Sequence, residues 1–468
     1  MAFKKNQCVT VEINDLTDLG FGVGRVDGAV VFVSDTVPGD VCEVKLIKVN
    51  KTYLVGRVEK YIKKSDMRVS DRCSERACKS CAYKNVSYGC EASFKEDGVR
   101  RIFGTSALEG IATAPITVSP NETRYRNKAQ YPIALVDGEY RVGFFAPKSH
   151  RVTPITDCPL TPEVFSRICD ELCKFFKKYS VSVYDEESGN GLLRHIYLRR
   201  GEVSGEILVT VVINGTALPK EQEMVERILA KFPNTVGVLI NVNTESTNVV
   251  LGKEYRILYG RDYIYDTLSG VRLKITAPSF YQVNHSATEL LYAKAKELAR
   301  PEKTDTLLDL FCGAGSIGLS MADSVGELVG IEIVDSAVEC AKDNAKATGV
   351  ENAHFFTGDA TETERLLANA ERELGRKLTP DIVILDPPRA GCDEKLVRFV
   401  STLNAKRIVY ISCNPKTLAR DVVIFRECGY DTDTVYPFDL FPMTGHVESV
   451  VSLTRRFDNE LQPCGCVN

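Results

Sequence analysis

The sequence predicts a multidomain α/β protein: an N-terminal OB-like β-barrel, a mixed α/β central domain and a C-terminal Rossmann-like domain on a doubly wound parallel sheet. Three observations predict it. Residues 1–62 are short β-branched runs broken by glycine turns. Residues 271–457 alternate apolar strands with helical stretches. The length, 468 residues, exceeds what one compact core accommodates.

In residues 1–62, Cys8–Ile13, Val41–Val49 and Tyr53–Tyr61 alternate apolar and polar side chains, and Val30–Val33 is β-branched. Gly20, Gly22, Gly24, Gly28 and Pro38-Gly39 supply the turns. So many short strands suggest a small barrel. Such barrels often bind nucleic acid, and Lys45, Lys48, Lys51 and Arg57 could supply the charge. Residues 63–270 open with a cysteine-rich stretch and a helical pattern, then show strand-like runs at Glu206–Asn214, Thr235–Asn243 and Thr247–Gly252. In residues 271–457 the expected strands are Thr306–Phe311, Glu327–Ile333, His354–Thr357, Asp381–Asp386, Arg407–Ser412 and Val447–Leu453. A helix is expected to begin at Ser286, with Glu289 completing a capping box. A sheet of this kind carries its site at the strand carboxyl ends. Residues 458–468 lack periodicity and read as a loose tail.

Composition narrows the class. Apolar residues are 44% and charged residues 26%, an ordinary globular balance. No apolar run approaches bilayer length, and Met1–Thr10 lacks the apolar core of a signal peptide. The expected compartment is the cytoplasm, where 16 cysteines do not imply a disulfide scaffold. Net charge is -4, yet residues 1–160 hold 24 Lys and Arg against 19 Asp and Glu, a weak pointer to a polyanion.

Leu307–Gly318 is a buried strand entering a glycine turn and a helix, with Gly313, Gly315 and Gly318 as G-x-G-x-x-G. Glu332 ends the next strand. Alone, this loop suits a nicotinamide or flavin dinucleotide as well as S-adenosylmethionine. Asp386-Pro387-Pro388-Arg389 favours the second, because two prolines force the chain out of the sheet and hold the acid over its edge. Asp359, after another strand, could receive an adenine amino group. Cys413 ends a further buried strand with Asn414-Pro415 behind it, the placement of a nucleophile. Glu448 stands where the strand pattern wants an apolar residue and suits a general base; His446 is the lesser candidate. Together these groups suit carbon-5 methylation of uracil, in which a thiolate adds to carbon 6 before carbon 5 attacks a methyl group. Cys73, Cys78 and Cys81 lie close in sequence and Cys158 far away; their spacing admits an iron–sulfur cluster, zinc or no metal.

Phe280-Tyr-Gln-Val-Asn284, DLFCGAG, IEIV, DPPR, SCNP and the HVES segment, in this order, resemble the RNA uracil-5-methyltransferase family, and its 23S rRNA members most. The resemblance spans nearly the whole chain, and the N-terminal barrel looks like a TRAM domain. It implies S-adenosylmethionine as cofactor, contacted by Gln282, Phe311, Glu332 and Asp386, with Ser316 and Asp359 at further cofactor positions. Ser316 departs from the Asn of some members. It implies Cys413 as nucleophile and Glu448 as base. It also implies a [4Fe-4S] cluster on Cys73, Cys78, Cys81 and Cys158. The first gap is about a residue shorter than in many relatives, which leaves Cys90 as a substitute ligand. Arg124–Lys128 and Gly143–His150 match family segments that combine basic and aromatic residues, suited to holding phosphates and stacking bases. The target base has to leave its stack to reach Cys413. The expected partner is RNA and the expected state a monomer. The alternatives are a tRNA uridine-5-methyltransferase, a cytosine-5 enzyme, which usually carries a second cysteine in the acidic-proline loop, and a noncatalytic RNA-binding or assembly protein.

Overall fold

The computed structural model describes residues 3–455 apart from 71, 76, 148, 361 and 364. The tail expected over 458–468 lies outside the described residues. At the N-terminus, Cys8–Leu16, Gly22–Val26, Ala29–Val33, Tyr53–Lys63 and Val41–Val49 close into a barrel in that order. Alternation explains its interior: Val11, Ile13, Val31, Val33, Val44 and Leu46 point inward and are fully buried. Lys48 and Lys51 remain exposed.

The central sheet has seven strands in the order Glu254–Gly260, Thr235–Val242, Ile207–Ile213, Leu193–Arg200, Lys128–Val136, Glu139–Phe145 and Val152–Pro154. The run Thr247–Gly252 is not a strand. Arg194 donates to the carbonyls of Asn243 and Glu245, and Asn243 Nδ2 donates to those of Val249 and Val250. Those carbonyls are therefore bound to side chains rather than to a ladder, and the strand begins later, at Glu254.

The C-terminal sheet runs Ala353–Thr357, Glu327–Glu332, Thr306–Leu310, Ile382–Leu385, Arg407–Ser412, Glu448–Arg455, Thr434–Phe438 and Ala112–Thr113, with Tyr430–Asp431 pairing off Glu448–Arg455. The first five strands are parallel, and the chain order reverses beside Thr306–Leu310, the crevice where such sheets bind ligands. Glu448–Arg455 is antiparallel to both neighbours, so the sheet is not wholly parallel as expected. The physical reason is length. Residues 439–447 are too few for a parallel crossover, which needs about a dozen or more. The helix Tyr88–Phe103 lies against this sheet and places Val99 and Phe103 in its core.

The helix expected at Ser286 spans His285–Ala299, and its cap is Asn284, whose side chain accepts from Ala287 N. Asn284 Nδ2 also donates to the Leu440 carbonyl at 2.9 Å. One side chain thus caps the helix and holds the approach to the strand bearing Glu448.

Candidate active site

Sheet order explains why distant motifs meet. Parallel strands present their carboxyl ends along one edge. Phe311, Glu332, Asp359, Asp386 and Cys413 each end or follow a strand of this set. Glu448 starts an antiparallel strand, so its amino-terminal end comes to the same edge.

The register is specific. Ser412 pairs with Ser449. Continuing that antiparallel register by one residue sets Cys413 opposite Glu448, and opposed residues direct their side chains to the same face of a sheet. Cys413 is half-buried, whereas Glu448 is only 5% exposed. Burial, and then the neighbouring Asp386, raise the Glu448 carboxyl to about 8. Burial alone raises Asp386 to about 7. The Cys413 thiol is also pushed up, by burial first and then by these two carboxylates, while Arg389 pulls it down. The free site therefore holds protons that a bound cation would help to release.

The SCNP motif has a local explanation. Asn414 caps the helix Pro415–Glu427 through Lys416 N, and Pro415 occupies the first helical turn, where a missing N–H costs nothing. Asn414 Nδ2 also donates to the Arg389 carbonyl at 3.1 Å, tying the cysteine turn to the DPPR turn. Arg389 Nη2 lies 2.7 Å from His446 Nδ1. His446 is held neutral, its pKa lowered to about 4 by burial and then by Arg389. It precedes the strand rather than sharing a strand face with Glu448.

In the glycine loop, Phe311 and Gly313 adopt left-handed backbone. A side chain at Gly318 would collide with the Asp309 carboxylate, which accepts from Gly318 N at 3.0 Å. Glu332 accepts from Gly313 N at 3.1 Å and from Val334 N at 3.0 Å, so the acid and the loop form one unit. Ser316 Oγ lies 2.8 Å from the hydroxyl of buried Tyr292. The Gln282 backbone is fixed from the central domain, where Asn127 Nδ2 donates to its carbonyl at 2.8 Å. Asp359 follows Gly358, whose N–H donates to the Glu332 carbonyl at 3.0 Å.

A cavity of about 630 Å³ opens beside Cys413, between the barrel turn Leu16–Leu19, the helix Tyr88–Phe103 and the residues Arg389 and His446. One of its walls went unread in the sequence. Lys95, buried on that helix, donates to Glu91 and to Asp439, each at 2.8 Å, and to the Phe441 carbonyl. Glu91 in turn accepts from Met443 N at 2.7 Å. This buried ion network fixes the segment leading to Glu448. The Glu91–Lys95 spacing is visible in sequence, but the partner Asp439 is not.

Cys73, Cys78, Cys81 and Cys158 line a second cavity, of about 400 Å³, together with Arg126 and Lys128. Cys90 is not on its wall; it packs against the cluster of Leu16, Val37, Tyr83 and Val86. Burial and the other three thiols push Cys81 up to about 12. Lys128 is lowered to about 8 by burial, then by Arg199 and Arg126, and Arg126 Nε is buried without a partner. Among the described residues, no group of three or more His, Cys, Asp or Glu is arranged to hold a metal ion. Arg124, expected to hold phosphate, instead grips Asp157 and the Cys158 carbonyl.

Known proteins match this architecture. The sequence model for tRNA (Uracil-5-)-methyltransferase matches residues 116–456, and that for the TRAM domain matches residues 2–58. An uncharacterized RNA methyltransferase of Oceanobacillus iheyensis is 36% identical over 457 residues, covering 97% of this chain and 98% of that one. One from Bacillus cereus is 37% identical over 454 residues, covering 97% of both. The Pyrococcus abyssi tRNA (uracil-54, C5)-methyltransferase, solved with S-adenosyl-L-homocysteine, superposes with a TM-score of 0.75 at 26% identity, covering 95% of this chain and 100% of that one.

Proposed function

Since this chain belongs to the RNA uracil-5-methyltransferase family and carries a TRAM domain, we propose that it transfers the methyl group of S-adenosylmethionine to carbon 5 of a uridine in 23S rRNA. The Ser412–Ser449 pair, which brings Cys413 and Glu448 to adjoining positions on the edge shared with Asp386 and the glycine loop, carries this reading. In it, the Cys413 thiol first gives up its proton to solvent, and the thiolate Sγ then adds to carbon 6 of the extruded uracil, leaving an enolate with carbanion character at carbon 5. Bound S-adenosylmethionine would supply the methyl group to carbon 5, its sulfur–methyl bond breaking to leave a thioether. Glu448 then takes the carbon-5 proton, the Sγ–carbon-6 bond breaks and the ring double bond returns.

Gln282, Phe311, Ser316, Glu332, Asp359 and Asp386 form the cofactor cradle in this reading. Glu332 suits the ribose hydroxyls, since the N–H groups of Gly313 and Val334 hold its carboxylate in place at the strand end. Glu332→Ala and Asp386→Ala are each expected to weaken S-adenosylmethionine binding by about 10- to 100-fold, the range for a lost charge-assisted hydrogen bond. Calorimetry checks this; wild-type affinity in both variants would remove the cradle assignment.

For the second cavity, the family resemblance and the lining of one cavity by four thiols with Arg126 and Lys128 support a [4Fe-4S] cluster, which would have to draw together thiols that are not gathered as a ligand set in this structure. Cys73, Cys78, Cys81 and Cys158 would hold it, and it would cross-link the segment of residues 73–81 to the loop at Cys158. Anaerobically purified protein is expected to be brown, and Cys78→Ser or Cys81→Ser to lose iron. Stoichiometric zinc without iron or sulfide contradicts the cluster.

The likeness to the Pyrococcus tRNA enzyme favours a second reading, a tRNA uridine target with the same chemistry. Mass mapping of 5-methyluridine in 23S rRNA and tRNA, from cells with and without the gene, separates the two. Loss of the mark from tRNA alone rejects the rRNA target. Unchanged marks in both reject the methylation reading and favour a noncatalytic RNA-binding role.

A further inference from the structure

We propose that the cavity formed by Phe145, His150, His195 and the loop Thr247–Val250 in the central domain is a pocket for one unpaired nucleobase of the substrate RNA, separate from the pocket at Cys413. It encloses about 500 Å³, within the range of sites that hold small organic groups. Phe145 sits edge-on to His150 at 5.8 Å and to His195 at 6.0 Å, and it keeps 38% of its surface exposed, so it can still stack on a base. Val249, on the loop, is 62% exposed and adds an apolar rim.

The polar groups select a base over a phosphate. His195 lines the cavity and is 5% exposed, and its Nδ1 is buried without a hydrogen-bond partner. Burial, and then Arg194, lower its pKa to about 4, so the ring stays neutral, with one donor and one acceptor nitrogen. That suits a base edge; a phosphate would want a cation. Arg194 is committed to the loop, since its Nη1 and Nη2 donate to the carbonyls of Asn243, Glu245 and Thr247. Glu186, also on the cavity wall, pairs with Arg194 at 3.8 Å. The same Arg194 bonds, with those from Asn243 to Val249 and Val250, hold the loop in place without ligand.

The position suits a nucleotide near the target. Strand alternation puts His195, Tyr197 and Arg199 on one face of Leu193–Arg200. Tyr197 and Arg199 donate to the Ala277 carbonyl, and Arg199 also to that of Ser279, just before Phe280 and Gln282. His195 is four residues from Arg199, on the order of 13 Å along a strand.

This inference rests on RNA being the substrate, and the test separates the two. Full-length protein is irradiated with ultraviolet light in the presence of total RNA from cells lacking the gene, and nucleotide-bearing peptides are mapped by mass spectrometry. Adducts are expected on the peptides holding Phe145–Pro147 or His195. In methylation assays on the same RNA, Phe145→Ala and Val249→Glu are expected to raise KM about tenfold. S-adenosylmethionine affinity should stay unchanged, and Val249→Glu alters an exposed position that folding does not need. Adducts elsewhere, with none on these peptides and an unchanged KM, overturn the pocket alone. No adduct anywhere and no methyl transfer overturn the pocket together with the RNA reading.

Discussion

Cys413→Ala is expected to abolish methyl transfer, by on the order of 10⁴-fold or more, while leaving S-adenosylmethionine binding within about twofold of wild type. The size of the effect follows from the chemistry. Carbon 5 of uracil is too weak a nucleophile to attack a sulfonium methyl until a thiolate has added to carbon 6, so no slower route through the same site replaces the lost sulfur. Alanine removes only the thiol from a half-buried position, and Asn414 and Pro415 still set the turn. Folding should be intact, as circular dichroism would show. Labelled methyl incorporation and a denaturing gel with labelled RNA read the outcome. Product formation by Cys413→Ala would remove Cys413 from the role of nucleophile and return the question to other chemistry at this edge.

What was legible in the sequence follows a physical pattern. Asp386, Cys413 and the glycine loop could be read because each comes directly after an apolar strand, and a parallel sheet brings such positions to one edge. Glu448 could be read as an intruder in an apolar pattern, but its direction could not. That depended on an antiparallel hairpin formed with Thr434–Phe438, a strand that the sequence pattern did not reveal. The cap at Asn284 was misplaced to Ser286 because the S-x-x-E spacing is a local signal. Asn284 is instead fixed by a contact to Leu440, 156 residues away. The Lys95–Asp439 ion pair spans 344 residues and leaves no local trace at all. Local chemistry is thus visible in sequence, while the contacts that hold it in position come from the tertiary fold.

Glu448→Gln should fail at a different step. Glutamine keeps the side chain's size and hydrogen-bonding reach but cannot accept the carbon-5 proton. Cys413 can still add to carbon 6, and carbon 5 can still take the methyl group, so a covalent protein–RNA species should form and then persist, because elimination needs a base. A denaturation-resistant band carrying both labelled RNA and the transferred methyl group is expected, with turnover reduced by about 10²- to 10⁴-fold. A 5-fluorouridine substrate should trap the wild type in the same way, since fluorine does not leave as a proton does. The pH dependence supplies a second readout. Burial and Asp386 raise the Glu448 carboxyl to about 8 in the free protein. The proton-accepting form therefore grows as pH rises towards that value, and wild-type kcat, which includes elimination, should climb from about pH 6 towards 8, with ionisation of the Cys413 thiol carrying the rise further. Adduct formation by Glu448→Gln should instead follow the Cys413 thiol, with Asp386 still acting on it and the Glu448 carboxyl no longer contributing. Wild-type turnover by Glu448→Gln, without an accumulated adduct, would show that another group removes the proton. His446, neutral and bonded to Arg389, would then be the next residue to change.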